Sequence, residues 1–212
     1  YEVKDKGLVG KVFPQCPEIL RSVNEKMAPK FKEMGYRGHY STELRITKDG
    51  TPYFIDPTCR APSPPAEVMC ELYKNYAEAV WEIADGKVPI LEPIAEYVAE
   101  IILVSEWHQK KELFVDFPKE IAQWVKLKNQ TKKHGNYYCI PNGNEGGFGS
   151  VIAIGNSIKE VEEKVLEIAD EIDAEDLEFD KNVFEKANEQ IKAGEKFGIH
   201  FGGGNGNQKS SD

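Results

Sequence analysis

Two extended runs folded about one turn signal constrain this chain most. From Tyr40 to Thr47 polar and apolar side chains alternate, Lys48-Asp49-Gly50 supplies a turn, and Tyr53 to Asp56 resumes the extended pattern. Period two on both sides of an Asp-Gly step predicts a β-hairpin, and its register decides which side chains face each other. If Asp49-Gly50 is a two-residue loop, Lys48 pairs with Thr51, and Glu43 lands opposite Asp56 on the same face. Like charges opposed on neighbouring strands repel, so the pair asks for a cation between them or a proton on one carboxyl. Magnesium suits two hard oxygen donors and takes water or phosphate oxygens in its remaining positions. Continuing with period two, Thr58 and Arg60 share that face. The Thr58 hydroxyl is then a weak or water-mediated ligand, and the Arg60 fork can hold a phosphate or carboxylate. The competing reading is a solvated face on which Glu43 pairs with Arg45 or Lys48. A three-residue loop would shift the register and part the two acids.

The flanking segments predict an α+β chain. Pro17 followed by Ile19, Leu20, Val23 and Met27 reads as a helix running toward Gly35, kinked or interrupted at Pro29. After the proline-rich stretch from Ala61 to Pro65, the apolar residues Val68, Met69, Leu72, Tyr76, Val80 and Ile83 recur at helical spacing, closing at Gly86. Pro89 and Pro93 punctuate a linker, after which Tyr97 to Val104 reads as an apolar strand. Short strands are expected near Leu113 to Phe117 and Trp124 to Leu127. A loop from Asn142 to Gly149 precedes a strand at Ser150 to Ile154. Ser157 with Glu160 forms a capping box ahead of an amphipathic helix, and a further helix is expected from about Asp180 to Ala193.

Composition limits the function classes. The chain carries 27 Lys and Arg against 36 Asp and Glu, a formal charge of −9, which argues against broad attraction to nucleic acid or anionic lipid. No apolar run approaches the roughly 20 residues of a membrane-spanning helix, and the first residues are charged rather than signal-like, so a cytoplasmic location is expected. The cysteines Cys16, Cys59, Cys70 and Cys139 form no C-x-x-C pair and read as packed free thiols. His39, His108, His134 and His200 lack ligand spacing, although His39 lies near the candidate acids. The glycine-rich stretch Gly143 to Gly149 lacks G-x-x-x-x-G-K-[ST] and reads as a turn. Lys126 to Lys133 is the basic cluster, which could face an anionic partner.

The run Gly35-Tyr36-Arg37-Gly38, the strand with Glu43, the Lys48-Asp49-Gly50 turn, and Tyr53-Phe54-Ile55-Asp56-Pro57-Thr58-Cys59-Arg60 resemble the closing part of an ATP-grasp domain. The last strand of that superfamily carries an acid-x-Asn-x-Arg pattern; this chain has Asp56-x-Thr58-x-Arg60, with Asp for the usual Glu and Thr for Asn. The layout is most similar to the phosphoribosylamine-glycine ligase family. There the metal strand is followed by a proline-containing loop and helix and a C-terminal β-rich module, here Ala61 to Gly86 and Tyr97 to about Ala193. The segment Gly146 to Gly155 is similar to that family's Gly-Gly-containing strand-helix unit. Where the family has Gly-Asp-Pro after the arginine, this chain reads Pro62-Ser63-Pro64.

The resemblance implies the C-terminal part of an ATP-grasp lobe, an antiparallel sheet with packed helices, over 1–93. A small β-rich α+β module over 94–193 and a flexible tail over 194–212 complete the expected organisation. It implies a ligase that phosphorylates a carboxylate with ATP and lets an amine attack the acyl-phosphate, with Mg2+ or Mn2+ held by Glu43, Asp56 and Thr58 and with Arg60 orienting phosphate or substrate. The nucleotide-contacting segments of such enzymes precede the metal strand. The chain, beginning at Tyr1, is therefore expected to be a piece of something longer, completed by an upstream lobe or a separate subunit. The rival expectation is a non-catalytic interaction or assembly module on a degenerate scaffold.

Overall fold

A computed structural model describes the backbone of residues 2–4 and residues 7–141 and 147–201 in full. Its centre is an antiparallel sheet ordered β1 (Glu2–Lys4), β2 (Gly7–Lys11), β5 (Tyr97–Ser105), β10 (Gly147–Gly155) and β7 (Val125–Leu127), with β12 (Leu177–Glu178) pairing the end of β5. Alternate residues of the two central strands enter different cores. Tyr97, Ala99, Ile101 and Leu103, with Val151 and Ala153, pack beneath α4 (Ile158–Asp170) and α5 (Val183–Glu195), which contribute Val161, Val165, Phe184 and Ile191. On the opposite face Val98, Ile152 and Leu8 meet Val68 and Leu72 of α2 (Ala66–Leu72). Both faces are covered, which explains why Tyr97 to Val104 reads as continuously apolar rather than alternating. Each large apolar side chain buried there contributes about 1.5–3 kcal/mol of transfer free energy.

A second antiparallel sheet is ordered β11 (Asp173–Ala174), β6 (Leu113–Asp116), β9 (Asn136–Cys139) and β8 (Gln130–Lys133). It sends Leu113, Val115 and Cys139 into the first core. β8 and β9 turn through His134-Gly135, both at positive φ of 51° and 90°. That geometry matches a two-residue I′ turn and was not foreseen from sequence, because Gln130 to Lys133 lacks an apolar rhythm. Ahead of α4, the Ser157 hydroxyl accepts from the Glu160 amide at 3.2 Å, while the Glu160 carboxylate accepts from the Asn156 amide at 2.8 Å. The expected capping box is therefore present, with its return bond made one residue earlier.

The helix expected from Val68 to Ile83 is two helices, α2 and α3 (Tyr76–Ala84). Tyr73 is extended and bridges Pro93, the Lys74 amide bonds the Glu92 carbonyl at 3.0 Å, and Asn75 bonds both the Ile90 carbonyl and the Glu92 amide. The proline linker thus takes over backbone groups that a continuous helix would pair internally. Helix α1 (Glu18–Glu33) continues through Pro29 and stops at Gly35, whose φ of +64° suits glycine. β3 (Ser41–Ile46) and β4 (Pro52–Thr58) form a separate two-stranded sheet. Within the segment expected as a tail, Ile199 and Phe201 are fully buried, and the Lys11 ammonium and Tyr97 hydroxyl both donate to the Phe201 carbonyl. Residues 202–212 and most of the Asn142 to Gly149 loop lie outside the described residues. Among the described residues no helix is long and apolar enough to cross a membrane.

Candidate functional site

The hairpin register is set by two departures from the simple count, and they cancel. Its loop has three residues, Lys48-Asp49-Gly50, closed by a bond from the Thr47 amide to the Thr51 carbonyl at 3.1 Å. Gly50 adopts φ +86°, and the Asp49 carboxylate accepts from the Thr51 amide at 3.2 Å and from the Thr47 hydroxyl. Those bonds, the Thr47 one first, pull the Asp49 carboxyl below its usual pKa, so this acid serves the turn. The extra loop residue pairs Leu44 with Phe54, Arg45 with Tyr53 and Ile46 with Pro52. By itself that offset would part Glu43 and Asp56. A bulge at Ile55 inserts one residue into β4 and restores the offset, so that Glu43 faces Asp56, Thr42 faces Pro57 and Ser41 faces Thr58.

Beyond the bulge Thr58 and Asp56 lie side by side, with Glu43 opposite Asp56 in register. The Thr58 hydroxyl is 3.5 Å from an Asp56 carboxylate oxygen. Glu43 receives the Arg45 guanidinium at 2.9 Å, both side chains being largely exposed. Two carboxylates at opposed positions with an adjacent hydroxyl make a hard-oxygen donor set that matches Mg2+ or Mn2+. Arg45 offers Glu43 a competing partner. Arg60 lies past the end of β4, in a bend, so the period-two face reaches Thr58 but not Arg60; its guanidinium donates to the Ala61 carbonyl at 3.0 Å. Among the described residues no group of three or more His, Cys, Asp or Glu side chains gathers as a metal cluster.

The frame around the hairpin is built from aromatic and backbone contacts. Asn24 of α1 accepts from Thr42 at 2.6 Å, and the rings of Phe31 and Tyr40 meet at 4.6 Å. His39, flagged by its nearness to the acids, bonds the Tyr76 hydroxyl at 3.0 Å through Nε2 and gives its carbonyl to Tyr36. It ties the entry of β3 to α3 and is spent on structure. Glu67, in the first turn of α2, was missed from sequence. One of its carboxylate oxygens accepts from Ser63, and the other is buried without a hydrogen-bond partner. A lone glutamate after a proline run carries no motif, so only coordinates mark it.

The architecture resembles that of ATP-grasp enzymes. No family model matches the sequence. Among solved structures, phosphoribosylamine-glycine ligase of Thermotoga maritima aligns with a TM-score of 0.66 and 21% identity, over 84% of this chain and 46% of that one. Urea carboxylase of Kluyveromyces lactis aligns at 0.57 and 16% over 86% of this chain and 17% of that one. The biotin carboxylase domain of a thermophilic 2-oxoglutarate carboxylase aligns at 0.56 and 12%, over 92% and 45%. All three are ATP-grasp enzymes, and identities this low carry the fold alone. The chain spans about half the length of the Thermotoga ligase.

Proposed function

We propose that this chain is the C-terminal portion of an ATP-dependent carboxylate-amine ligase, similar to phosphoribosylamine-glycine ligase, acting in the cytoplasm. The observation that carries the reading is the bulge-corrected register that sets Glu43 opposite Asp56, beside Thr58, on an ATP-grasp-like fold. In this reading Glu43, Asp56 and Thr58 hold Mg2+ or Mn2+, whose charge offsets that of the transferring phosphoryl group. Arg60, free to swing from a single backbone bond, orients phosphate or the substrate carboxylate. The γ-phosphoryl group of ATP passes to the carboxylate and ADP leaves; the amine then attacks the acyl carbon and phosphate departs. The exposed apolar residues Tyr53, Phe54 and Ile55 on β4 support completion of the site by an upstream nucleotide-binding lobe or a separate subunit.

Titration of the chain with Mn2+, followed by electron paramagnetic resonance, tests the donor set. Weak binding that is lost in Asp56→Asn and in Glu43→Gln is the expected result. Binding unchanged by either substitution removes both acids from the site. In a protein carrying the upstream lobe, Asp56→Asn is expected to abolish ADP formation while leaving the circular dichroism spectrum intact; unchanged turnover removes Asp56 from the mechanism. The second reading, a non-catalytic assembly module, draws on the Arg45 pairing of Glu43 and predicts no metal binding at all.

A further inference from the structure

The segment that contributes β6, β8 and β9 to the second sheet carries a charge opposite to that of the whole chain. Between Trp107 and Cys139 there are seven lysines and three acids, a surplus of four positive charges in a chain of formal charge −9. Strand β8 closes one end of that sheet, and among the described residues no strand pairs with its outer edge. Lys132 lies in β8 and Lys128 two residues before it, both exposed and without a carboxylate partner among the described residues, whereas Lys133 is paired with Glu112. The unpaired amides and carbonyls of an edge strand are a template for another extended segment.

We propose that the β8 edge docks an extended acidic segment of a partner protein, which adds as a further strand and sets its carboxylates against Lys128 and Lys132. Three observations favour this occupant. A second copy joining antiparallel edge to edge would bring four lysines onto two paired four-residue strands with no carboxylate among them, which like-charge repulsion disfavours. Stacking of nucleic-acid bases needs open ring faces, yet Lys132 sits 4.9 Å from the centroid of Tyr137, Lys133 5.4 Å from that of Tyr138, and Lys111 3.7 Å from that of Trp107. Each of these rings thus has an ammonium group over one face. The acidic remainder of the molecule is screened beyond roughly 8 Å at physiological salt, so the local surplus governs what approaches the edge.

The test uses fluorescence anisotropy with a labelled peptide of about eight residues alternating glutamate and valine, and a lysine-valine peptide as control. The acidic peptide is expected to bind, to weaken as salt rises, and to lose about tenfold or more in affinity in K128E/K132E. Circular dichroism and the denaturation midpoint establish that this exposed pair leaves the fold intact. Four results overturn the proposal: no binding of the acidic peptide, equal binding by the double variant, tighter binding of an oligothymidylate than of the acidic peptide, or concentration-dependent self-association that K128E/K132E abolishes.

Discussion

In the sheet built on β5 and β10, Ala99, Leu103, Val151 and Ala153 are fully buried, with helices on both faces. On the hairpin of β3 and β4 no residue is buried, and Tyr53, Phe54 and Ile55 expose 56%, 40% and 51% of their surfaces. Helix α1, which backs the hairpin, likewise buries none of its residues. The first region has completed its own core. The second presents carboxylates and aromatic rings on two strands, a unit that is marginal alone in water. It is held at a few points: Thr42 on Asn24, Phe31 on Tyr40, Ile46 against the main core, and the turn at Gly50 against the Phe197 ring. The part of the chain with the candidate carboxylates is therefore the part with the less complete core of its own.

Truncation separates the two regions most sharply. Leu103→Ala removes a fully buried side chain between two covered faces and is expected to cost about 2–5 kcal/mol of unfolding free energy. Phe54→Ala, on the open hairpin, is expected to cost less than about 1 kcal/mol. Urea denaturation of both variants measures the gap, and equal losses would mean that the hairpin face is covered in solution. If an upstream lobe is added, the Phe54 variant should become the more damaging in assembly while the Leu103 value stays unchanged.

A smaller effect is expected where the regions are joined. Glu71 of α2 receives the Lys126 ammonium of β7 at 2.6 Å, with side-chain exposures of 29% and 24%. This pair pins the helix that follows the hairpin onto the main sheet. A double-mutant cycle with Glu71→Gln and Lys126→Met is expected to return a coupling of about 1 kcal/mol, between the values for open and enclosed pairs. A coupling near zero would leave Val68 and Leu72 as the whole attachment of α2.

What could be read from sequence divides along the same line. Elements whose pattern is enforced by burial were legible: the apolar strand at Tyr97, the capped helix after Ser157 and the stop at Gly35 all appear where expected. The opposition of Glu43 and Asp56 was also foreseen, but through a count that missed two compensating facts, the third loop residue and the bulge at Ile55. A bulge is not written in composition, because one unpaired exposed residue disturbs no apolar rhythm. The break between α2 and α3 was hidden for another reason. Helical spacing persists across Tyr73 to Asn75, and the groups that interrupt it belong to residues 90–93, distant in sequence. The β8–β9 hairpin escaped because its strands present lysine and tyrosine rather than an alternating core face.

The smallest expected effect tests how complete the packed region is. Glu162 lies in the groove between α4 and α5, where burial raises its carboxyl pKa and one bond from Asn188 at 2.9 Å works the other way. A carboxyl whose folded pKa is raised contributes stability that is present below its unfolded value, roughly 4.3, and is lost as pH rises through the folded value. At neutral pH the ionised side chain therefore costs stability, though solvent screening limits the cost. Glu162→Gln keeps an oxygen for Asn188 and removes the charge, so it is expected to raise the urea midpoint at pH 7 by the equivalent of a few tenths of a kcal/mol and to leave the midpoint at pH 4 nearly unchanged. A loss at pH 7 would show that the negative charge is itself used there, through Lys159 or Lys181 across the same groove.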